Sequence, residues 1–210
     1  MADGLLLKTA FGSADVSTRT TPFFAYREVL LYLLDLKEKI TNFGEKGASD
    51  IIKDKLQLYK LQEYASLLND FLPFNFPENE LTTSMNPQVR SESIQEILLK
   101  IIRSQAEMHP IVIILDDVQW LDAASWSLTA AICRQIEDAV VVLSTRPVDR
   151  LLGSGDYAMI KNLSTTQLLR VGLLSKPEIT QLVCEQLAVD RLPRVIEDVI
   201  KDKAQGLHQA

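Results

Sequence analysis

The chain has 210 residues, with 22 Lys and Arg against 28 Asp and Glu and a formal net charge of −6. Its 47% apolar and 24% charged content is that of an ordinary globular protein, which excludes intrinsic disorder, a collagen-like fibre and a disulfide-stapled miniprotein. The acidic balance, with no Lys/Arg run longer than two, argues against a nucleic-acid partner.

At the amino terminus, acidic Asp3 and the short apolar run Leu5-Leu6-Leu7 do not make a signal peptide. Leu5 to Phe11, followed by Gly12-Ser13, predicts a buried strand. Thr21-Pro22 predicts a helix start, since proline in a first turn loses no hydrogen bond. Ala25, Val29, Tyr32, Leu33, Leu36 and Ile40 give that helix one apolar face, with Gly44 and Gly47 expected to end it. A second helix is expected from about 50 to 71. Three prolines mark 73–87 as a loop, in which Phe74 and Phe76 read as a clamp folded onto the domain rather than a partner-docking pair.

Ser93-x-x-Glu96 reads as a capping box, ahead of a stripe of Ile94, Ile97, Leu98, Ile101 and Ile102 that His109-Pro110 stops. Ile111 to Leu115 is then apolar on both faces and too short for a helix, the pattern of a central strand in a parallel sheet. A helix over about 123–137 and a second apolar strand, Ala139 to Leu143, complete a βαβ unit. The segment 148–162, with Gly153 and Gly155, is expected to be irregular, and Leu168 to Leu174 to form a short strand. Ser175-x-x-Glu178 caps a helix carrying Ile179, Leu182, Val183 and Leu187, and a last helix is expected over about 192–204. Cys133 and Cys184 are too few for a disulfide framework or a zinc cluster and read as buried small hydrophobes. No uncharged apolar stretch approaches the roughly 18 residues that cross a bilayer, so the expectation is a soluble, cytoplasmic protein with no membrane partner.

Chemistry concentrates in Ile111-Val112-Ile113-Ile114-Leu115-Asp116-Asp117-Val118-Gln119-Trp120-Leu121-Asp122. Five apolar residues bury a strand, and two carboxylates sit at its carboxyl end, where parallel sheets bind ligands. One carboxylate there can hold Mg²⁺ through oxygen, and its neighbour can orient or deprotonate a water for attack on a phosphate. This is the Walker B arrangement of P-loop NTPases. The plainer alternative is that Asp116 and Asp117 cap a turn, with Asp122 as N-cap of the next helix. Gln119 either positions a water or caps the turn; Trp120 and Trp126 read as core packing. His109 and His208 lack metal-ligating neighbours, and Ser125 and Ser127 lack a nucleophile elbow.

Leu115 to Asp122, with Ser125 and Leu128, resembles the extended Walker B of STAND-class, AAA-like ATPases, which accompany class III (soluble-type) adenylyl cyclases and large bacterial regulators. Leu6 to Leu30 is similar to the strand and helix that follow the P-loop helix in that family. Ser144-Thr145-Arg146-Pro147 is similar to its sensor-1 strand end. Leu173 to Leu182 resembles the start of its helical lid. The resemblance implies a partial P-loop NTPase α/β core over 1–174, a parallel sheet flanked by helices, and the beginning of a lid over 175–210. It implies Mg²⁺ held by Asp116, ATP bound by Asp116, Thr145 and Arg146, and Asp117 as the catalytic carboxylate. Arg146 could equally be a solvated ion-pair partner.

The sequence departs from the family at one point. The Walker A loop, G-x-x-x-x-G-K-[ST], does not occur, and there is no Gly-Lys dipeptide. In the family it would precede the strand at Leu5, so the chain reads as an interior piece of an ATP-binding, ATP-hydrolysing signalling module, inactive alone. Its expected partners are ATP and the other domains of a larger, adenylyl-cyclase-like protein, or a protein partner. The alternative is a non-catalytic interaction or scaffold domain with a degenerate nucleotide site. The strand at Ile111 is expected to lack a neighbour, leaving an apolar edge and low solubility.

Overall fold

The computed structural model of the chain describes residues 7–72, 74–146, 155–172, 174–193 and 199. They fall into two compact units, Met1–Thr166 and Gln167–Ala210.

The first unit is built on a three-stranded parallel sheet of β1 (Lys8–Ser13), β2 (Ile111–Asp116) and β3 (Ala139–Leu143), in the order β1-β2-β3. Lys8 pairs with Ile111, and Ile111 with Ala139, so the carboxyl ends of all three strands finish level. The α/β class expected from the sequence is what forms. The expectation that β2 lacks a neighbour is overturned: β2 is central, and among the described residues the edges of the sheet are β1 and β3. β3 is five apolar residues long, the composition of an interior strand, yet it stands at an edge.

Both crossovers run in the same direction along the sheet, and right-handed crossovers of that kind place their helices on one face. That face carries Ala10, Ile111, Ile113 and Leu115, all buried. It is covered by α1 (Phe24–Leu33), α4 (Pro87–Met108) and α5 (Ala123–Gln135). The alternate residues Phe11, Val140 and Val142 point to the other face and are 45%, 58% and 45% exposed. Gly12 allows α1 its close approach, because a Cβ there would lie 2.1 Å from the carbonyl oxygen of Ala25.

Helix boundaries depart from the sequence expectation where backbone geometry intervenes. Phe23 sits at φ 60°, so α1 begins at Phe24 rather than Pro22. Asp35, at φ 56°, breaks the helix, and a new one, α2 (Lys37–Leu58), runs straight through Gly44 and Gly47. The second predicted helix is instead the end of α2 followed by a 3₁₀ segment, Gln62–Asp70. The loop over 73–87 contains a single helical turn, α3 (Glu80–Thr83), started by the Asn79 side chain. α4 starts at Asn86-Pro87, with the Val89 N–H donating to Asn86 at 3.0 Å, so Ser93 and Glu96 lie inside the helix and cap nothing.

The excursion between α1 and α4 folds back on the core. Phe74 and Phe76 are buried with their rings 5.7 Å apart, as the clamp reading requires. Asn69 holds the Phe76 backbone from both sides at 2.9 Å. Arg90 of α4 donates to Asp70 at 2.8 Å and to Glu78 at 2.9 Å, and Glu78 also accepts from the hydroxyls of Thr82 and Ser66. α6 (Gly155–Lys161) is a helix where irregular chain was expected, and its Tyr157 meets Trp126 edge-on at 5.8 Å. The expectations for 148–154, Gly153 among them, lie outside the described residues.

In the second unit, α7 (Lys176–Leu187) forms as its capping box predicts, with the Ser175 N–H donating to Glu178 at 2.6 Å. The strand expected at Leu168 to Leu174 is absent among the described residues, where Leu169 and Val171 are 85% and 89% exposed. A strand needs a paired neighbour, which this segment lacks there. The helix expected over 192–204 lies almost wholly outside the described residues.

Two outcomes follow for stability. Gly12→Ala forces backbone apart at a contact that side-chain motion cannot relieve, so urea unfolding should show a loss of about 3 kcal/mol, the upper end of overpacking penalties. Hydrogen bonds from Thr82 and Arg90 hold the Glu78 carboxyl below its ordinary value of 4.5. A depressed carboxylate stabilises the fold above the unfolded value, and that contribution disappears as the pH falls through the folded value. Thermal melts should therefore fall below about pH 4.5 partly through Glu78, and Glu78→Gln should flatten that acid limb.

Candidate functional site

The site lies at the rim where the three strands end. Asp116, the last residue of β2, pairs in register with Ser13 of β1. Its backbone oxygen accepts from the Ala14 N–H at 3.2 Å, which ties it to the end of β1. Its carboxylate Oδ1 accepts from the Ser144 hydroxyl just beyond β3 and from the Asp117 N–H at 3.0 Å. Both neighbouring strands therefore orient Asp116.

Asp117 occupies the left-handed region at φ 53°, ψ 42°, a conformation that aspartate tolerates better than most residues. The 3₁₀ turn Val118–Trp120 follows, closed by Trp120 N–H to the Asp117 oxygen at 3.0 Å. The Val118 N–H donates to the Ser144 oxygen at 3.0 Å, fastening the turn to β3. Gln119 donates to Asp117 Oδ1 at 2.7 Å, while its amide oxygen accepts from the Arg146 N–H at 3.2 Å and the Thr145 hydroxyl at 3.3 Å. Arg146 Nε lies 3.9 Å from Asp117 Oδ1, with the Arg146 side chain 80% exposed, so this ion pair is weak.

Asp116, Asp117, Thr145 and Arg146, all singled out in the sequence, thus meet at one rim. Ser144 and Gln119 act as their partners. Ser144 stood in the same tetrapeptide as Thr145, but sequence carries no sign that its hydroxyl reaches across to the next strand. Among the described residues no group of three His, Cys, Asp or Glu could hold a metal. Two carboxylates still fit Mg²⁺, which commonly takes one or two of them and fills its shell with water and phosphate oxygens. For a triphosphate the rim offers Arg146 and Thr145 but no glycine-rich loop with lysine.

Behind the rim lies a buried polar network. Asp122 caps α5, accepting from the Ser125 N–H at 2.8 Å and the Ser125 hydroxyl at 2.6 Å. It also accepts from the Phe23 N–H at 3.3 Å, which anchors the left-handed start of α1. Thr129 donates to the Ser125 oxygen at 2.7 Å and bonds to the Tyr26 hydroxyl at 2.7 Å. Burial drives the Tyr26 phenol far above its usual range, so it stays neutral and structural. Cys133 is half-buried, and burial raises its thiol, which leaves it a poor nucleophile. Trp126 is core, as expected, whereas Trp120 is only half-buried.

Fold and rim together define a parallel α/β domain with an acidic pair at the end of its central strand. The chain matches the AAA ATPase domain family over residues 5–144 and belongs to it. It is 25% identical over 171 residues to adenylate cyclase type 10 of Rattus norvegicus, covering 81% of this chain and 10% of that protein. It is 24% identical over 146 residues to the Mus musculus protein of that name, covering 70% of this chain and 9% of that one, and 20% identical over 156 residues to that of Homo sapiens, covering 74% and 10%. The chain thus spans about a tenth of the length of these relatives. No solved structure matches it.

Asp122→Ala removes the cap and orphans three buried donors, the Ser125 N–H and hydroxyl and the Phe23 N–H. Chemical denaturation should show a loss of about 3 kcal/mol, from a lost cap plus unsatisfied groups, while Asp122→Asn keeps the cap and should cost less than half of that.

Proposed function

We propose that the chain is the Walker B-bearing part of a STAND-type, ATP-binding and ATP-hydrolysing regulatory module in a larger signalling protein. The observation that carries this reading is the placing of Asp116 at the end of the central strand, where the Ala14 N–H at the end of β1 holds its backbone oxygen and the Ser144 hydroxyl beyond β3 donates to its carboxylate. A side chain that merely capped its own turn would not need a hydroxyl from the neighbouring strand end. On this reading Asp116 holds Mg²⁺, Asp117 orients the attacking water, and Thr145 and Arg146 face the terminal phosphate. Bound Mg²⁺ would supply charge neutralisation between phosphate oxygens. The core is assigned to 1–174, with 175–210 beginning the helical lid.

A cytoplasmic setting suits an ATP-dependent module, and no described helix is long and apolar enough to cross a membrane. The relatives are cyclases by name, so a regulatory place beside a cyclase domain is the natural assignment. The second reading, a non-catalytic interaction domain, draws support from the exposed Phe11, Val140 and Val142.

Titration calorimetry of the purified 210 residues with Mg-ATP tests the reading. With no glycine-rich loop to cradle the phosphates, binding should be weaker than micromolar, magnesium-dependent and lost in Asp116→Asn. Equal signals from the two proteins would sink the nucleotide reading and leave the interaction domain.

A further inference from the structure

We propose that Gln119 is the positioning residue of the acidic pair: its amide fastens the Asp117 carboxylate to the end of β3 and so sets the angle between the two aspartates. The inference rests on the reading that the pair holds a divalent cation.

Asp117 has a side chain 42% exposed, which leaves it free to rotate unless something holds it. Two groups reach Oδ1. Arg146 is 3.9 Å away on an 80% exposed side chain, too distant and too hydrated to fix a rotamer. Gln119 donates at 2.7 Å, a charge-assisted bond of normal length. The amide is itself fixed, because its oxygen accepts from the Arg146 N–H at 3.2 Å and from the Thr145 hydroxyl at 3.3 Å. Those partners also settle which end of the amide is which: a carboxylate demands the NH₂.

The turn does not need this side chain. Backbone bonds from Val118, Trp120 and Leu121 already close it and tie it to Ser144. Gln119 therefore does something the turn alone cannot. It couples two strand ends through one planar group that donates at one end and accepts at the other. A carboxylate in its place would accept at both ends and repel Asp117, and a methionine would bridge nothing. A ligand that displaces Thr145 or the Arg146 backbone would pull Gln119, and Asp117 would follow.

The test compares the full 210-residue chain, Q119M and D116N by two measurements. The first is the Asp117 Hα–Hβ three-bond coupling by NMR, which reports rotamer fixity without any metal. The second is Mn²⁺ affinity by electron paramagnetic resonance. The wild type should show one Asp117 rotamer, and Q119M averaged couplings with Mn²⁺ affinity lowered about 10-fold, the low end of what partners of metal ligands contribute. Its melting temperature should match that of the wild type, and D116N should lose Mn²⁺ binding.

A single Asp117 rotamer retained in Q119M overturns the positioning role, whatever the cation does. A large fall in melting temperature with unchanged Mn²⁺ affinity also overturns it, in favour of plain turn-capping. Averaged couplings in Q119M with equal Mn²⁺ binding by all three proteins overturn the cation reading instead.

Discussion

The register of β2 between its two parallel neighbours is the constraint on which the rest depends. Ile111, Ile113 and Leu115 are buried, and three such side chains contribute about 6 kcal/mol of transfer free energy, comparable to the whole net stability of a domain. A slip by one residue would turn this set to the exposed face and carry Asp116 away from Ser144. The same apolar burial that builds the sheet therefore aims the carboxylate. Packing and chemistry are not separate designs here, because the strand's alternation fixes both.

The helices on the covered face are secured by polar means as well. Asp122 serves the start of α5 and the left-handed entrance to α1 at once. Tyr26 and Thr129 continue that link along the two helices. Since the hydroxyls of Ser125, Thr129 and Tyr26 all have partners within this network, it adds specificity without orphaning its own buried groups. It also places the turn carrying Asp117 and Gln119 directly between the strand end and a rigid helix start, so the rim rests on fixed elements on both sides.

The uncovered face of the sheet follows from topology. Crossovers in one direction cover one face only, and a helix over the other face needs a connection running the opposite way. β3, with the sequence of an interior strand and two exposed valines, marks where the sheet is open. The relatives are about ten times longer than the matched segment, so that segment is a small part of each of them.

Much of this was legible in the residues. Unbroken aliphatic runs too short for a helix marked β2 and β3 as strands, although the second face, with Val140 and Val142, is exposed rather than covered by helices. The Ile94 to Ile102 stripe gave the buried face of α4. The acidic pair was found from its position after β2, and its family from the residues that follow. Boundaries were not legible where a non-glycine residue takes a left-handed conformation: Phe23 delays the start of α1, and Asp35 breaks a helix that local propensity would continue. Gly44 and Gly47 look like stops because glycine weakens a helix, yet two penalties of about 1 kcal/mol each are small against the burial of Ile52 and Leu56 in the same helix. The strand expected at Leu168 had the right residues but, among the described residues, no neighbour to pair with. Sequence therefore specified what is read from neighbours along the chain: periodicity, caps and the carboxylates themselves. The partnerships of Ser144 with Asp116, and of Gln119 with both Asp117 and the end of β3, join residues on adjacent strand ends. Those depend on the sheet's register, which no local pattern encodes.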